Sequence, residues 1–226
     1  MAKTVNKTDE QFANVEESLS KAGLYVVKNR NVIMKLVGIL LIIVFLFTGY
    51  TKFYIEPLEK EASEEMYIAE FYFQNNDFDK ALNGDGQFSG FISVASDYTS
   101  TDAANLANYY AAICQINLGE YENAINSLNE FSTDDVVLSA LSTGLIGDAN
   151  MELENVSEAL NYYISAANDN VNSFTTPYFM MKQAGIHNNN EDYASALEIY
   201  NSIKSDYPKS AQALSIDKYI SSESNR

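Results

Sequence analysis

The chain has 226 residues, 46% of them hydrophobic, and a formal net charge of −17. This hydrophobic content is enough for a packed core and excludes wholesale disorder, while the acidic excess argues against nucleic acid as a partner. The single cysteine, Cys114, excludes an internal disulfide and a cysteine-based metal cluster, and any zinc site or catalytic triad would have to use the single histidine, His187.

Residues 1–30 form a predicted cytoplasmic segment. Residues 1–35 hold six basic and four acidic residues, whereas the remainder of the chain carries a net charge of −19. Helical spacing of apolar residues within residues 11–30 predicts an amphipathic helix on the membrane face, with a partly ordered tail as the alternative. The residues that carry this spacing are Phe12, Val15, Leu19, Ala22 and Val26.

The next element, residues 31–53, is a predicted transmembrane helix. Its apolar centre, residues 32–50, would span about 28 Å, close to the hydrocarbon thickness of a bilayer, and it contains one charge, Lys35. A cleaved signal peptide is the alternative, but the stretch TGYTKFYIEP that follows has no small-x-small cleavage pattern. Basic residues are more numerous on the N-terminal flank, which predicts a cytoplasmic N-terminus and places residues 54–226 on the far side.

Four segments after this helix share one register and define an internal repeat. Each segment ends in an aromatic residue or valine, two further residues, an alanine and an aliphatic residue. The alanines are Ala81, Ala124, Ala159 and Ala196, and small residues precede them by twelve positions, at Ala69, Ala112, Gly147 and Ala184. This pattern is typical of tetratricopeptide repeats (TPRs), in which small residues let two helices approach closely. The predicted fold is all-α, a single transmembrane helix followed by a TPR α-solenoid of about four helix-turn-helix repeats.

The repeat register assigns most large side chains to the scaffold. Tyr72, Phe78, Tyr163 and Tyr200 are predicted to lie in the core. His187 falls at a helix position that an aromatic residue usually fills, so a packed histidine is expected there rather than a catalytic base or a ligand.

The stretch ALNGDGQFSGF, residues 81–91, interrupts the first repeat. A calcium loop is excluded because its first and twelfth positions would be alanine and isoleucine instead of aspartate and glutamate. A phosphate loop is excluded because the lysine and the preceding strand are missing. Gly84 and Gly86 are predicted to break the helix, and Phe88 and Phe91 to return the chain to the core; a partner contact is the alternative.

The sequence contains no catalytic constellation. It lacks the G-x-S-x-G, H-E-x-x-H and Walker lysine motifs, and its paired carboxylates fall on predicted polar helix faces or in turns. Cys114 lies in an apolar helical pattern and is predicted to be a small buried residue. The chain is therefore predicted to be a non-enzymatic protein without catalytic residues, cofactor or metal.

The order of segments resembles the YfgM family of bacterial inner-membrane proteins, in the form found in Bacteroidetes-type bacteria. Three stretches carry the resemblance. They are residues 54–91, which follow the anchor and contain the interrupted repeat, the stretch ANLANYYAAICQINLGEYENAI at 104–125, and residues 200–220. The resemblance implies an ancillary subunit of the SecYEG translocon with a periplasmic TPR domain. It also implies a membrane-anchored prolyl isomerase-like chaperone and unfolded secreted chains as partners. The alternative is a TPR coordinator of cell-envelope assembly or cell division that binds periplasmic wall enzymes.

A partner would bind the groove that the first helices of the repeats are expected to line. A mixture of methionine, aromatic and acidic residues suits a polypeptide segment, because methionine repacks around varied side chains. Covering of these residues by the ends of the chain is the alternative. The predicted groove residues are Met66, Glu70, Phe73, Tyr109, Ile113, Ile116, Asp148, Met151, Tyr178, Met181 and Asn188.

Overall fold

The computed structural model describes residues 24–224, so most of the predicted amphipathic segment lies outside the described residues. The chain divides into two compact units, with the boundary between Pro57 and Leu58. In the first unit, residues 24–28 are helical, and they are followed by α1 (Arg30–Tyr50) and by a π-helical turn (Thr51–Ile55). No residue of α1 is buried. This is the one helix among the described residues that is long and apolar enough to cross a membrane.

The second unit is built from helices, and residues 58–224 contain no strand. The first repeat consists of α2 (Glu56–Gln74), α3 (Phe78–Asn83) and α4 (Phe91–Asp97). The helix pairs of the later repeats and the closing helices are α5 (Asp102–Leu118) with α6 (Tyr121–Glu130), α7 (Val136–Glu152) with α8 (Val156–Asn168), α9 (Thr175–Asn189) with α10 (Tyr193–Asp206), a 3₁₀ turn (Gln212–Ser215) and α11 (Ile216–Glu223). Each helix from α5 to α10 packs on the next one along the chain, and α10 packs on α11.

The turn between the two helices of each repeat has the same backbone geometry. Its left-handed residue, with φ between 58° and 80°, stands five positions before the alanine of the second helix; these residues are Asn76, Gly119, Glu154 and Glu191. In every repeat the next residue's N–H donates to a carbonyl five positions back, as from Glu120 to Gln115 at 2.8 Å. This bond satisfies a carbonyl that the end of the first helix leaves free. The four-repeat register predicted from sequence is therefore present in the structure.

Small residues hold the two helices of each repeat together. The four repeat alanines, Ala81, Ala124, Ala159 and Ala196, are all fully buried. At the matching position of the third repeat, a Cβ on Gly147 would lie 2.6 Å from the Tyr163 ring, so glycine is required for this ring to pack. Tyr163 and Tyr200 are buried, and Tyr72 and Phe78 pack against the core of the first repeat. The predicted core tyrosines and Phe78 are confirmed.

The break predicted in the first repeat is confirmed, because α3 ends at Asn83 and α4 starts at Phe91. Gly84 and Gly86 have φ values of 83° and 87°, which favour glycine. Phe91 is completely buried and stacks on the Tyr110 ring at 5.1 Å. Phe88 stays 44% exposed, so the prediction that it returns to the core is wrong. The loop is closed by close backbone approaches, of Gly84 to Phe88 and of Gly90 to Leu82, so it does not need the Phe88 ring in the core.

Asp85 closes this loop through hydrogen bonds. Its carboxylate accepts from the backbone N–H groups of Phe88 and Gln87 at 2.8 and 2.9 Å, and from the Tyr72 hydroxyl at 2.7 Å. The N–H of Phe88 is the largest cause that lowers the pKa of this carboxyl below 3.8, followed by the Tyr72 hydroxyl. The same hydrogen bond raises the pKa of Tyr72.

The lowered pKa of Asp85 predicts a pH-dependent contribution to stability. A carboxyl whose pKa is lower in the folded than in the unfolded state stabilises the fold above its unfolded value, and this contribution is lost as pH falls. We expect Asp85→Asn to lower the midpoint of urea unfolding at neutral pH, and the gap from wild type to narrow below pH 3.8, the ordinary value of the group. Circular dichroism in urea at several pH values measures this. A gap that stays constant on acidification would contradict the account.

The N-terminus of α5 is capped from the first repeat. The Glu59 carboxylate accepts from the N–H groups of Asp102 at 2.6 Å and Ala103 at 3.0 Å, and Thr101 accepts from Ala104 at 3.0 Å. A negative charge and hydrogen-bond acceptors are both favourable at this end of a helix.

Removal of this cap gives a second stability prediction. We expect Glu59→Ala to reduce the free energy of unfolding by about 1 kcal/mol, because two N–H groups of α5 lose their acceptor. Glu64→Ala on the same helix is the control, since Glu64 is exposed and makes only a 3.7 Å ion pair with Lys60. Equal unfolding midpoints in urea for the two variants would show that the cap contributes nothing.

Candidate protein-binding surfaces

The predicted groove residues of the first two repeats lie mostly against the core. Met66 is buried, and Phe73 packs edge to face against Phe91 and Tyr110 at 6.2 and 5.1 Å. The remaining residues of this half are half-buried: Glu70, Tyr109, Ile113 and Ile116. Tyr109 and Ile116 pack beside the core of the second repeat. Burial and, secondarily, the Glu70 carboxylate raise the pKa of Tyr110.

The third and fourth repeats bring two predicted residues, Asp148 and Tyr178, together around a lysine. Lys182 donates to the Asp148 carboxylate at 2.7 Å, and its Nζ lies 5.4 Å from the centre of the Tyr178 ring. Tyr163 donates to the same carboxylate at 2.6 Å, and burial with this hydrogen bond raises the pKa of Tyr163. We call Asp148, Tyr163, Tyr178 and Lys182 the Lys182 cluster. It combines an ion pair, a cation–π contact and partly exposed aromatic surface.

The other predicted residues of these repeats contribute to packing. Met151 packs beside the core of the third repeat and Met181 beside that of the fourth. Asn188 donates to the Tyr200 hydroxyl at 2.9 Å, while its side-chain oxygen is buried with no hydrogen-bond partner among residues 24–224. These three residues are therefore held mainly by their own chain.

A small apolar pocket adjoins the Lys182 cluster at Tyr178. Its volume is about 160 Å³, and Leu141, Phe174 and Ala211 line it with Tyr178. Phe174 is 67% exposed. Gln212 also lines the pocket, and Leu214, two residues further along the chain, is 88% exposed. A pocket of this kind admits one apolar side chain of a partner, the usual anchor of a protein interface. Tyr178 was among the residues predicted to line a groove, whereas Leu141 and Phe174 were not.

A larger, polar groove lies among α4, α5 and α6, and sequence reasoning missed it. Its volume is about 1210 Å³. We call it the amide groove, because its polar residues include Asn105, Asn108, Gln115, Asn123 and Asn126. One signal in the sequence could have indicated it: small and carboxamide residues recur on one face of α5 at Ala104, Asn108, Ala111 and Gln115. In the fourth repeat, the position of Asn108 is occupied by Met180.

The remaining candidate reactive side chains, those of Cys114 and His187, contact neighbouring residues of the fold. Cys114 is completely buried, which confirms the prediction, and burial raises its pKa to about 12. His187 is partly buried, and its Nδ1 lies 3.0 Å from the Asp192 carboxylate in the turn of the fourth repeat. No group of three or more histidine, cysteine, aspartate or glutamate residues within the described range could hold a metal ion.

Comparison with known families identifies the repeats. A tetratricopeptide repeat family model matches residues 106–134 and 178–210, which are the second and fourth helix pairs. A comparison with curated proteins found no match. The first and third pairs lie outside the matched ranges. The first is interrupted by the loop at 84–90, and the third has Asn150 and Val156 where bulkier residues are usual. Over the matched residues the chain is similar to tetratricopeptide repeats, and the other two helix pairs share the same register.

Proposed function

We propose that the chain is a non-enzymatic TPR scaffold, anchored in a bacterial inner membrane by the helix predicted at residues 31–53, with residues 54–226 in the periplasm. TPR proteins are generally protein-interaction scaffolds, and this is the class of function that the family match supports. The finer assignment, an ancillary role at the SecYEG translocon, rests on the resemblance to the YfgM family. Its partners would be the translocon, a membrane-anchored prolyl isomerase-like chaperone and secreted chains.

The observation that carries the proposal is the contrast between the two units. In α1, apolar side chains such as Leu41 and Phe45 are 64% and 77% exposed, and no residue is buried. A water-exposed helix of this composition would cost a large hydrophobic free energy, which insertion into a bilayer removes. The second unit, by contrast, buries its apolar faces in its own core and carries most of the acidic residues.

The surface proposed to contact a partner is the Lys182 cluster with its apolar pocket. Leu141, Phe174 and Tyr178 offer apolar and aromatic area, and the Lys182–Asp148 ion pair offers polar groups beside it. Interfaces are enriched in aromatic anchors surrounded by a polar rim, and the cluster has this composition. The chain's predicted groove residues Asp148 and Tyr178 belong to this surface, whereas those of the first two repeats contribute mainly to packing.

Purification of the full-length chain from detergent-solubilised membranes tests the proposal. We expect Sec subunits to be recovered with the chain, and Phe174→Ala combined with Tyr178→Ala to reduce the recovery. Ile164→Ala, a change of another exposed apolar residue outside the pocket, is the matched control. Recovery of wall enzymes without Sec subunits, with altered cell shape when the chain is deleted, would favour the envelope-assembly role instead.

A further inference from the structure

The amide groove contains a carboxamide that the protein leaves half satisfied. The Gln115 side chain is only 4% exposed, and its Oε1 accepts from the Ser127 hydroxyl at 2.8 Å. Among the described residues its Nε2 makes no hydrogen bond, and Gln115 lines the groove. This donor is therefore available to water or to a ligand in the groove.

Two further carboxamides line the groove without a protein partner. In the part of the chain that the structure describes, the side chains of Asn108 and Asn126 make no hydrogen bond. Asn105, in contrast, is held in place, because it exchanges two hydrogen bonds with the backbone of Ser132 at 2.8 and 2.9 Å. The groove therefore combines a fixed end with free carboxamides on both of its long sides, α5 and α6.

A carboxamide has one carbonyl acceptor and an NH₂ donor, which is the same pair that a peptide group presents. A row of such side chains can form hydrogen bonds with the backbone N–H and C=O groups of an extended segment, whatever side chains that segment carries. From Ala104 to Gln115 the floor of the groove extends about 16 Å along α5. This length fits about five residues of an extended segment.

The charge of the groove indicates the kind of segment. Its charged lining residues are Asp102, Glu130 and Asp134, and no lysine or arginine lines it. Neutral or basic segments are therefore favoured over acidic ones and over nucleic acid. No aromatic ring lines the groove, so a flat sugar or base would have no surface on which to stack.

We infer that the amide groove binds an extended polypeptide segment of neutral or basic composition through its backbone. Asn108, Asn126 and Gln115 supply the hydrogen bonds. The carboxylates of Asp102, Glu130 and Asp134, at the end where α5 begins and α6 ends, attract positive charge. The site is separate from the Lys182 cluster, so it does not depend on whether that cluster binds a Sec subunit.

The test uses full-length protein in detergent and a fluorescein-labelled nonapeptide of serine, threonine, alanine and lysine. Fluorescence anisotropy gives its affinity, and a second peptide has the same side chains but N-methyl groups at alternate residues. We expect Asn108→Ala with Asn126→Ala to weaken binding at least tenfold, and N-methylation to weaken it as much. Asn117→Ala is the control, because it lies on α5 outside the groove. Circular dichroism checks that all variants are folded.

Three results would overturn the inference. One is the absence of wild-type binding at millimolar peptide. Another is equal affinity for the plain and N-methylated peptides, which would show that the backbone is not recognised. The third is an unchanged affinity in the double asparagine variant. Loss of Sec co-purification with normal peptide binding would instead count against the proposed function alone.

Discussion

Replacing Leu41 and Val44 by arginine is expected to release the chain from membranes. Both residues lie near the middle of α1 and are exposed in the structure. Each arginine at the centre of a membrane helix costs about 2.5–3.5 kcal/mol, and the lost apolar residue adds to this cost. The measurement is the fraction of the chain that remains in the membrane pellet after an alkaline carbonate wash. We expect wild type to remain and the double variant to leave the pellet or fail to insert.

The matched control places two arginines on the exposed surface of α2, at Glu61 and Glu64. These substitutions change the net charge in the same direction but lie outside the apolar helix. The control variant should stay in the pellet. Extraction of wild type by carbonate would show that α1 is not a membrane anchor, and retention of the Leu41 and Val44 variant would contradict the energetic argument.

The second large effect is expected from Phe91→Ala, which should lower the free energy of unfolding by about 3–5 kcal/mol. Phe91 is completely buried and contacts the rings of Phe73 and Tyr110. Its removal leaves a cavity where α4 meets α2 and α5. Because repeat proteins are stabilised mainly between neighbours, we expect the first repeat to open before the others. Hydrogen exchange should show that backbone amides in α2 to α4 lose protection, whereas those of the fourth repeat keep it.

Phe88→Ala provides the comparison within the same loop. Phe88 is 44% exposed, so its truncation should change the free energy of unfolding by less than about 1 kcal/mol. Urea unfolding of both variants, followed by circular dichroism, separates the two cases. Similar losses for the two phenylalanines would mean that Phe91 does not hold α4 to the core.

The fold could be predicted largely because its signals are local. The alanines of the second helices and the small residues twelve positions earlier determine how the helices of one repeat pack, and each is buried as the register requires. The structure shows that the turn residues share one position of this register. Asn76, Glu154 and Glu191 adopt the same left-handed conformation as Gly119, although glycine marks only one of the four turns.

The surfaces could be predicted only in part, because they depend on several helices at once. Asp148 and Tyr178 were among the predicted groove residues, but the lysine that contacts both, Lys182, stands one turn after Tyr178 on a face that periodicity alone does not distinguish. Phe174 precedes its helix, in a loop whose position follows from tertiary packing. The amide groove is lined in part by α4, which follows the loop at 84–90, and the spacing of the repeats indicates that loop only as extra residues.

Site-specific photo-crosslinking from position 174 in intact cells tests the central claim, that the chain is a membrane-held scaffold with a partner at the apolar pocket. A photoreactive phenylalanine replaces Phe174, and the same residue at Ile164 is the control. The account predicts a discrete adduct from position 174 that contains a translocon subunit or a membrane-anchored chaperone, and none from position 164. Equal labelling from both positions, or no adduct from position 174, would contradict it.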